Sequence, residues 1–252
     1  MNVPTKIIAH RGNSSSCHEN TMAAFERAVI DEADGIEFDL RLTRDRQWVI
    51  HHDPDVIFDG NRRRIADLTQ SDIAAVRVGP KSDPIPTLNG FLGWAKHHRI
   101  QLVFDIKDSN GIPELIASVE AIEQRLPPLF SCFRKSTLGE IHRLRPDWST
   151  ALIVGDVRSG VARHLWLSSL LRWAATQELL ALHLHERWTG QDVVDRVHDA
   201  GFNVAVWTVD DPKPIALLAE MGVDAIITNY PDTATLIIDA LRHGASSYDV
   251  DG

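Results

Sequence analysis

The sequence predicts a (β/α)8 TIM barrel, an α/β fold, on three observations. Eight short apolar runs, at residues 6–10, 35–40, 101–107, 129–133, 150–154, 179–184, 203–209 and 224–228, lack polar alternation over most of their length. Strands of a parallel sheet covered on both faces have that character. Segments of helical periodicity alternate with them, as in βα units. The 252 residues match the roughly 250 that one such barrel needs.

Taken in order, the run 6–10 ends in His10 and 35–40 reads Gly-Ile-Glu-Phe-Asp-Leu. A further apolar run, 48–52, follows only residues 42–47, whereas a parallel crossover needs a dozen or more. It is therefore an antiparallel return arm, and 53–86 form a small insertion after the second strand. Pro113 suits a first helical turn, with Leu115, Ile116, Val119, Ile122 and Leu126 at helical spacing before the stop Pro127-Pro128. Trp166 and Trp173, seven apart, read as a helix face meeting the barrel. Thr189 with Asp192 resembles a capping box ahead of Val193, Val194 and Val197, closed by Gly201. Asp211-Pro212 opens another helix, with Leu217, Leu218 and Met221 inward and Gly222 at its end. No repeat or Gly/Ser linker divides the chain, so 1–245 is expected to be a single domain and 246–252 a frayed tail.

Composition narrows the function classes. Acidic residues number 35 against 26 basic, a formal charge of −9, which argues against a nucleic-acid groove. Cys17 and Cys132 are too few for a disulfide framework and lack metal-ligand spacing. No apolar run approaches the roughly 18 residues of a membrane span, and the amino terminus leaves no room for a signal peptide. A soluble, cytoplasmic protein is expected.

The chemistry collects at the carboxyl ends of strands. Residues two apart share a strand face, so Glu37 and Asp39 lie together, as do Asp105 and Lys107, and His10 ends the first strand. Catalytic residues of such barrels occupy that end. Three acids desolvated together would repel. A cation would relieve them, and an all-oxygen set suits Mg²⁺, Ca²⁺ or Mn²⁺ better than Zn²⁺. Pairing with Arg41, Arg44 or Lys107 is the alternative. His10-Arg11-Gly12 and His51-His52-Asp53 offer imidazoles able to divide base and acid roles, and Arg11 offers a fork suited to phosphate or carboxylate. His183-Leu184-His185 has a metal-hydrolase form but lies late in the chain and reads as incidental. The Arg62-Arg63-Arg64 run reads as solvated.

Ordered motifs add a resemblance. The chain is similar to the glycerophosphodiester phosphodiesterase family, within the superfamily of phosphatidylinositol-phospholipase-C-like phosphodiesterases. The motifs are A-H-R-G (9–12), H-E-N-T (18–21), G-I-E-F-D-L-R-L-T (35–43), V-I-H-H-D (49–53), I-A-D-L-T (65–69), I-P-T-L (85–88), F-D-I-K (104–107), V-W-T-V-D (206–210) and G-V-D-A-I-I-T-N-Y-P (222–231). The resemblance implies His10 and His52 as the acid/base pair and Glu37, Asp39 and Asp105 as ligands of one divalent cation, Mg²⁺ or Ca²⁺, with Mn²⁺ as a third option. It implies Arg11 and Lys107 on the phosphate, Trp207 lining the pocket, and Glu19 beside the site. His51 is turned away by strand alternation and reads as structural.

The activity so implied is hydrolysis of a small-molecule glycerophosphodiester to an alcohol and sn-glycerol 3-phosphate, in some members through attack by the substrate's own hydroxyl. A lysophospholipid substrate, or phosphodiester binding without turnover, are the alternatives. Three positions depart from the family: Asp105 stands where Glu is frequent, Cys17-His18 where Pro is usual, and residues 58–62 replace an Arg-Thr-Thr segment. The oligomeric state is not legible in the sequence.

Overall fold

The computed structural model of the protein describes residues 5–155 and 161–244. Eight parallel strands form the barrel: β1 (Lys6–His10), β2 (Gly35–Leu42), β3 (Gln101–Ile106), β4 (Leu129–Cys132), β5 (Ser149–Val154), β6 (Ala181–His185), β7 (Asn203–Trp207) and β8 (Ala225–Thr228). All neighbouring pairs are parallel and follow chain order. Strand β8 returns to β1, with Lys6 opposite Ala225 and Ala9 opposite Thr228. The sheet thus closes and leaves no parallel edge unpaired.

A helix follows each strand: α1 (Met22–Ile30), α2 (Leu88–Ala95), α3 (Ile112–Glu120), α4 (Lys135–Leu144), α5 (Val161–Thr176), α6 (Gln191–Asp199), α7 (Pro212–Glu220) and α8 (Pro231–Arg242). Threonines set two of the starts. Thr21 accepts from the Ala24 amide ahead of α1, and Thr87 from the Gly90 amide ahead of α2. Among the described residues, no helix is long and apolar enough to cross a membrane.

The arm after β2 is antiparallel, as its spacing requires: Trp48–Ile50 pairs with the end of β2, Leu42 opposite Trp48. Two hairpins (Asp55–Phe58 with Asn61–Arg64, and Arg77–Val78 with Asp83–Pro84) and a short helix, Gln70–Ala74, make up the insertion. Val49, Val56, Ile65, Leu68, Ile73, Val76 and Ile85 give it a core of its own. Residues Asn61–Arg64 are all exposed, so the arginine run is solvated, with Arg62 paired to Asp55.

Outward-facing strand residues meet the helices in a continuous aromatic ladder. Phe38 of β2 lies 4.6 Å from Phe91 of α2 and 4.7 Å from Phe104 of β3, ring centre to ring centre. Phe104 continues to Phe130 at 4.7 Å, which stacks on Trp148 at 4.8 Å. This ladder holds together the strands that carry the acids.

Four local expectations are corrected. Helix α3 ends at Glu120 rather than running to the prolines; beyond it only Ile122 reaches the core, and the polar residues 123–125 gain nothing from helical burial. The start of α6 is Gly190, not Thr189, whose hydroxyl donates instead to the His185 carbonyl. Leu217 is 37% exposed, because Ile215 and Leu218, three apart, define the inner face of α7 and a 100° step turns Leu217 off it. Trp166 is 37% exposed as well, whereas Trp173 packs on the core beneath Lys135. The tail, 246–252, lies outside the described residues.

Phe38 is fully buried at the centre of the ladder. Phe38→Ala should therefore cost about 3–5 kcal/mol in denaturant unfolding; a loss below about 1 kcal/mol would show that the ladder is not the structural centre of this face.

Candidate active site

Strand pairing sets the acids in register. Asp39 of β2 stands opposite Asp105 of β3, and Glu37 lies two residues earlier, opposite His10 of β1. Glu37, Asp39 and Asp105 are 5%, 1% and 5% exposed, and one carboxylate oxygen of each falls within 4.8 Å of the others. The shorter Asp105 therefore reaches the cluster.

Cations and amides hold this group from two sides. Lys107 Nζ is 2.9 Å from Asp39 Oδ1 and 2.5 Å from Asp105 Oδ2. Arg11 Nε is 3.0 Å from Asp39 Oδ2, while its Nη1 donates to both Glu19 oxygens at 2.8 and 2.9 Å. The Arg11 amide donates to Glu37 Oε2 at 3.1 Å, an approach made by a turn in which Arg11 has φ 58° and Gly12 φ 81°. A Cβ on Gly12 would sit 2.6 Å from the Ala24 carbonyl carbon, so only glycine fits there. Asn20 Nδ2 donates to Asp39 Oδ2 at 2.7 Å. Arg41, read as a candidate partner for these acids, instead grips the His52 carbonyl and Asp108.

The two histidines border one cavity of about 110 Å³, shared with Arg11, Glu37, Asp105, Lys107, Phe133 and Trp207. His10 Nδ1 lies 2.8 Å from Asn229 Oδ1. Asn229 gives its amide hydrogen and an Nδ2 hydrogen to the Asp210 carboxylate at 2.9 and 2.7 Å. A carboxylate only accepts, so the Asn229 NH₂ must face Asp210 and its Oδ1 must face His10. Nδ1 of His10 therefore carries the proton, and Nε2, 4.0 Å from Glu37 Oε2, is free. His52 Nδ1 is 2.8 Å from Asp53 Oδ1. His51 is absent from the cavity wall.

Charge is out of balance here. Burial, with Asp39 and Asp105 beside it, pushes the Glu37 carboxyl well above its ordinary value. Burial also raises Asp105, to about 6, against the pull of Lys107. At Asp39 burial is outweighed by Lys107 and Arg11, which hold it at about 2. Lys107 is raised despite burial by Asp39, Asp105 and Glu37, and His10 is lowered by burial and by Arg11. Lys107 and Arg11 thus face Glu37, Asp39, Asp105 and Glu19, and Asp105 Oδ1 is buried without a hydrogen-bond partner. Three convergent oxygen donors, an excess of negative charge and an orphaned oxygen fit a hard divalent cation.

Of the nine site residues that the resemblance implies, the structure gathers all but Glu19 on the cavity or in the acid cluster; Glu19 serves as the brace of Arg11. Sequence reasoning missed Asn20, Asp210 and Asn229 as orienting groups, although all three lie within the quoted motifs. It also missed Phe133, whose ring meets Trp207 edge-on at 5.7 Å. Cys17-His18 is buttressed differently from a proline: a Cβ on Gly79 of the insertion would lie 2.5 Å from the His18 ring. The insertion thus leans directly on the loop that presents Glu19.

Asp105 holds its proton up to about pH 6 in the fold, against an ordinary value of 3.8. Folding therefore favours its protonated form, and the stability so gained is full below about pH 4 and lost as pH rises through about 6. In cation-free protein, Asp105→Asn should gain on wild type by up to about 3 kcal/mol between about pH 4 and pH 7. Thermal melts across that range check this; a difference that stays flat with pH would contradict it.

Comparison with known proteins agrees with this architecture. The sequence profile of the Glycerophosphoryl diester phosphodiesterase family matches residues 10–233. The YhdW protein of Bacillus subtilis (strain 168) is 31% identical, over 90% of this chain and 95% of its own length. The glycerophosphodiester phosphodiesterase of Caldanaerobacter subterraneus subsp. tengcongensis is 29% identical, over 95% of this chain and 99% of its own. In fold, the chain matches an Oleispira antarctica phosphodiesterase solved with the product sn-glycerol-3-phosphate, at TM-score 0.83 and 24% identity, covering 94% of this chain and 97% of that one. Profile, relatives and barrel coincide: the chain belongs to the glycerophosphoryl diester phosphodiesterase family, and is a phosphoric diester hydrolase.

Proposed function

We propose that this protein hydrolyses glycerophosphodiesters to an alcohol and sn-glycerol 3-phosphate with a divalent cation and a histidine pair. The observation that carries the reading is one cavity bordered by His10, His52, Arg11, Lys107, Glu37 and Asp105. The product bound by the Oleispira antarctica relative supports the same substrate class. Glu37, Asp39 and Asp105 would hold the cation, Mg²⁺ or Ca²⁺ with Mn²⁺ as a third option; when bound it neutralises charge on the phosphoryl oxygens.

The side chains divide the remaining work. Arg11 and Lys107 attract and orient the anionic diester, which matters in a chain of net charge −9. His10, its Nδ1 proton committed to Asn229, takes a proton at Nε2 from the attacking hydroxyl or water as the new P–O bond forms. His52, its Nδ1 held by Asp53, gives a proton from Nε2 to the departing alcohol as the old P–O bond breaks. In this assignment His10 is the base and His52 the acid of the first step; where a substrate hydroxyl attacks, the roles reverse as water adds to the cyclic phosphate and its ring P–O bond breaks to give sn-glycerol 3-phosphate. Phe133, half exposed at the lip, is the feature that would favour a lysophospholipid as a second substrate.

His10→Ala and His52→Ala should each lower kcat by about 10²–10⁴-fold, and chelator should abolish turnover reversibly. Release of glycerol 3-phosphate from glycerophosphocholine measures both. Near-normal turnover in either variant, or in chelator, would overturn the proposal.

A further inference from the structure

A third histidine enters the barrel without a task in this chemistry. Residues alternate on β6, so Leu182 and Leu184 meet the helices while Ala181, His183 and His185 face the interior. His183 lies opposite Ile153 of β5 and Ala205 of β7 and is 3% exposed. Its carbonyl accepts from Trp207 Nε1 at 3.0 Å. Among the described residues, neither ring nitrogen has a hydrogen-bond or charge partner, and burial alone lowers the ring to about 4. At neutral pH it is therefore an uncharged imidazole with one donor and one acceptor, both unused.

Such a pair rarely stays unmatched in a folded interior. The ring borders two spaces. On one side is the floor of the catalytic cavity, with Ser131, Ile153, Trp207 and Ile227. On the other is a space of about 440 Å³ at the amino-terminal mouth. Between them lies an apolar cluster of Ile8, Val103, Ala205 and Ile227, whose side chains offer the ring no hydrogen-bond partner. The catalytic side differs, because a bound substrate there brings hydroxyls. At about 110 Å³ that cavity is far below the roughly 300 Å³ at which drug-sized ligands begin to fit. It suits a short polyol better than a long headgroup.

We propose that His183 is a specificity-determining residue, whose imidazole at the cavity floor hydrogen-bonds the terminal hydroxyl of the substrate's glycerol moiety. This rests on the function proposed above and refines it. A hydroxyl both donates and accepts, so either tautomer of the ring can match it. Ile153, Ile227 and Trp207 face the glycerol carbons. The glycerol end then points into the barrel and the alcohol to be released points toward the mouth and Phe133.

The test compares choline release from glycerophosphocholine and from 2-hydroxypropyl phosphocholine, which keeps the hydroxyl beside the phosphate-bearing carbon and lacks only the terminal one. Wild type should favour glycerophosphocholine in kcat/KM by roughly ten-fold or more. His183→Leu should bring that ratio toward one by losing activity on glycerophosphocholine alone, and His183→Asn, which keeps a donor and an acceptor, should retain most of the preference. A wild-type ratio near one, or an unchanged ratio in His183→Leu, would overturn the inference. Should His183→Leu fail to fold, competition on wild type decides: glycerol 3-phosphate should inhibit roughly ten-fold more tightly than 2-hydroxypropyl phosphate, and equal inhibition would overturn it. Release from neither diester by wild type would instead refute the phosphodiesterase reading, and this inference with it.

Discussion

Four carboxylates share two cations at the carboxyl end of the barrel, and most of the site follows from that imbalance. Lys107 is spent on Asp39 and Asp105, Arg11 on Asp39 and Glu19, and Glu37 keeps only a backbone amide and the edge of His10. Crowding acids in a buried site beyond their counter-charges is costly, and burial pushes Glu37 and Asp105 toward their protonated forms. Here the cluster persists because the strands bearing it are locked elsewhere, by the aromatic ladder from Phe91 to Trp148. Packing on the outer face of the sheet thus underwrites electrostatic strain on the inner face.

Closure of the barrel supplies the second requirement, orientation. His10 and Asn229 are 219 residues apart and meet only because β8 returns to β1. The Asp210 carboxylate fixes the Asn229 amide, the amide fixes the His10 tautomer, and the free Nε2 is thereby aimed at the cavity. The left-handed turn at Arg11 and Gly12 delivers a backbone amide to Glu37 and the guanidinium to Asp39 in one stroke. The His10–Asn229 contact joins distant parts of the chain, so the geometry of the site depends on the barrel being closed.

Much of this was legible in the sequence because β-structure has a period of two. Glu37 with Asp39, and Asp105 with Lys107, could be assigned to one interior from apolar neighbours alone, and the spacing before residue 48 excluded a ninth parallel strand. What escaped was either long-range or a matter of phase. Asn229 meets His10 only through closure, and Asp210 and Asn20 bond partners 19 residues away, so local pattern carries no sign of their task. Glu19 was legible as a residue near the site, yet its work is to brace Arg11. Leu217 was misassigned because an apolar residue one step off the inner stripe looks the same as one on it. The capping role expected of Thr189 is not taken up: Gly190 stands at the N-cap, and the Thr189 hydroxyl donates backwards to the His185 carbonyl. The polar stretch 123–125 let α3 end early, where burial ended.

Cation binding tests this electrostatic picture most directly. Titration of Mn²⁺ into the metal-free protein, with free ion counted by electron paramagnetic resonance, reads the stoichiometry without reference to turnover. One ion per chain is expected, and its loss when Glu37→Gln, Asp39→Asn and Asp105→Asn are combined. No tight ion in the native chain, or equal binding after the three carboxylates are neutralised, would contradict it.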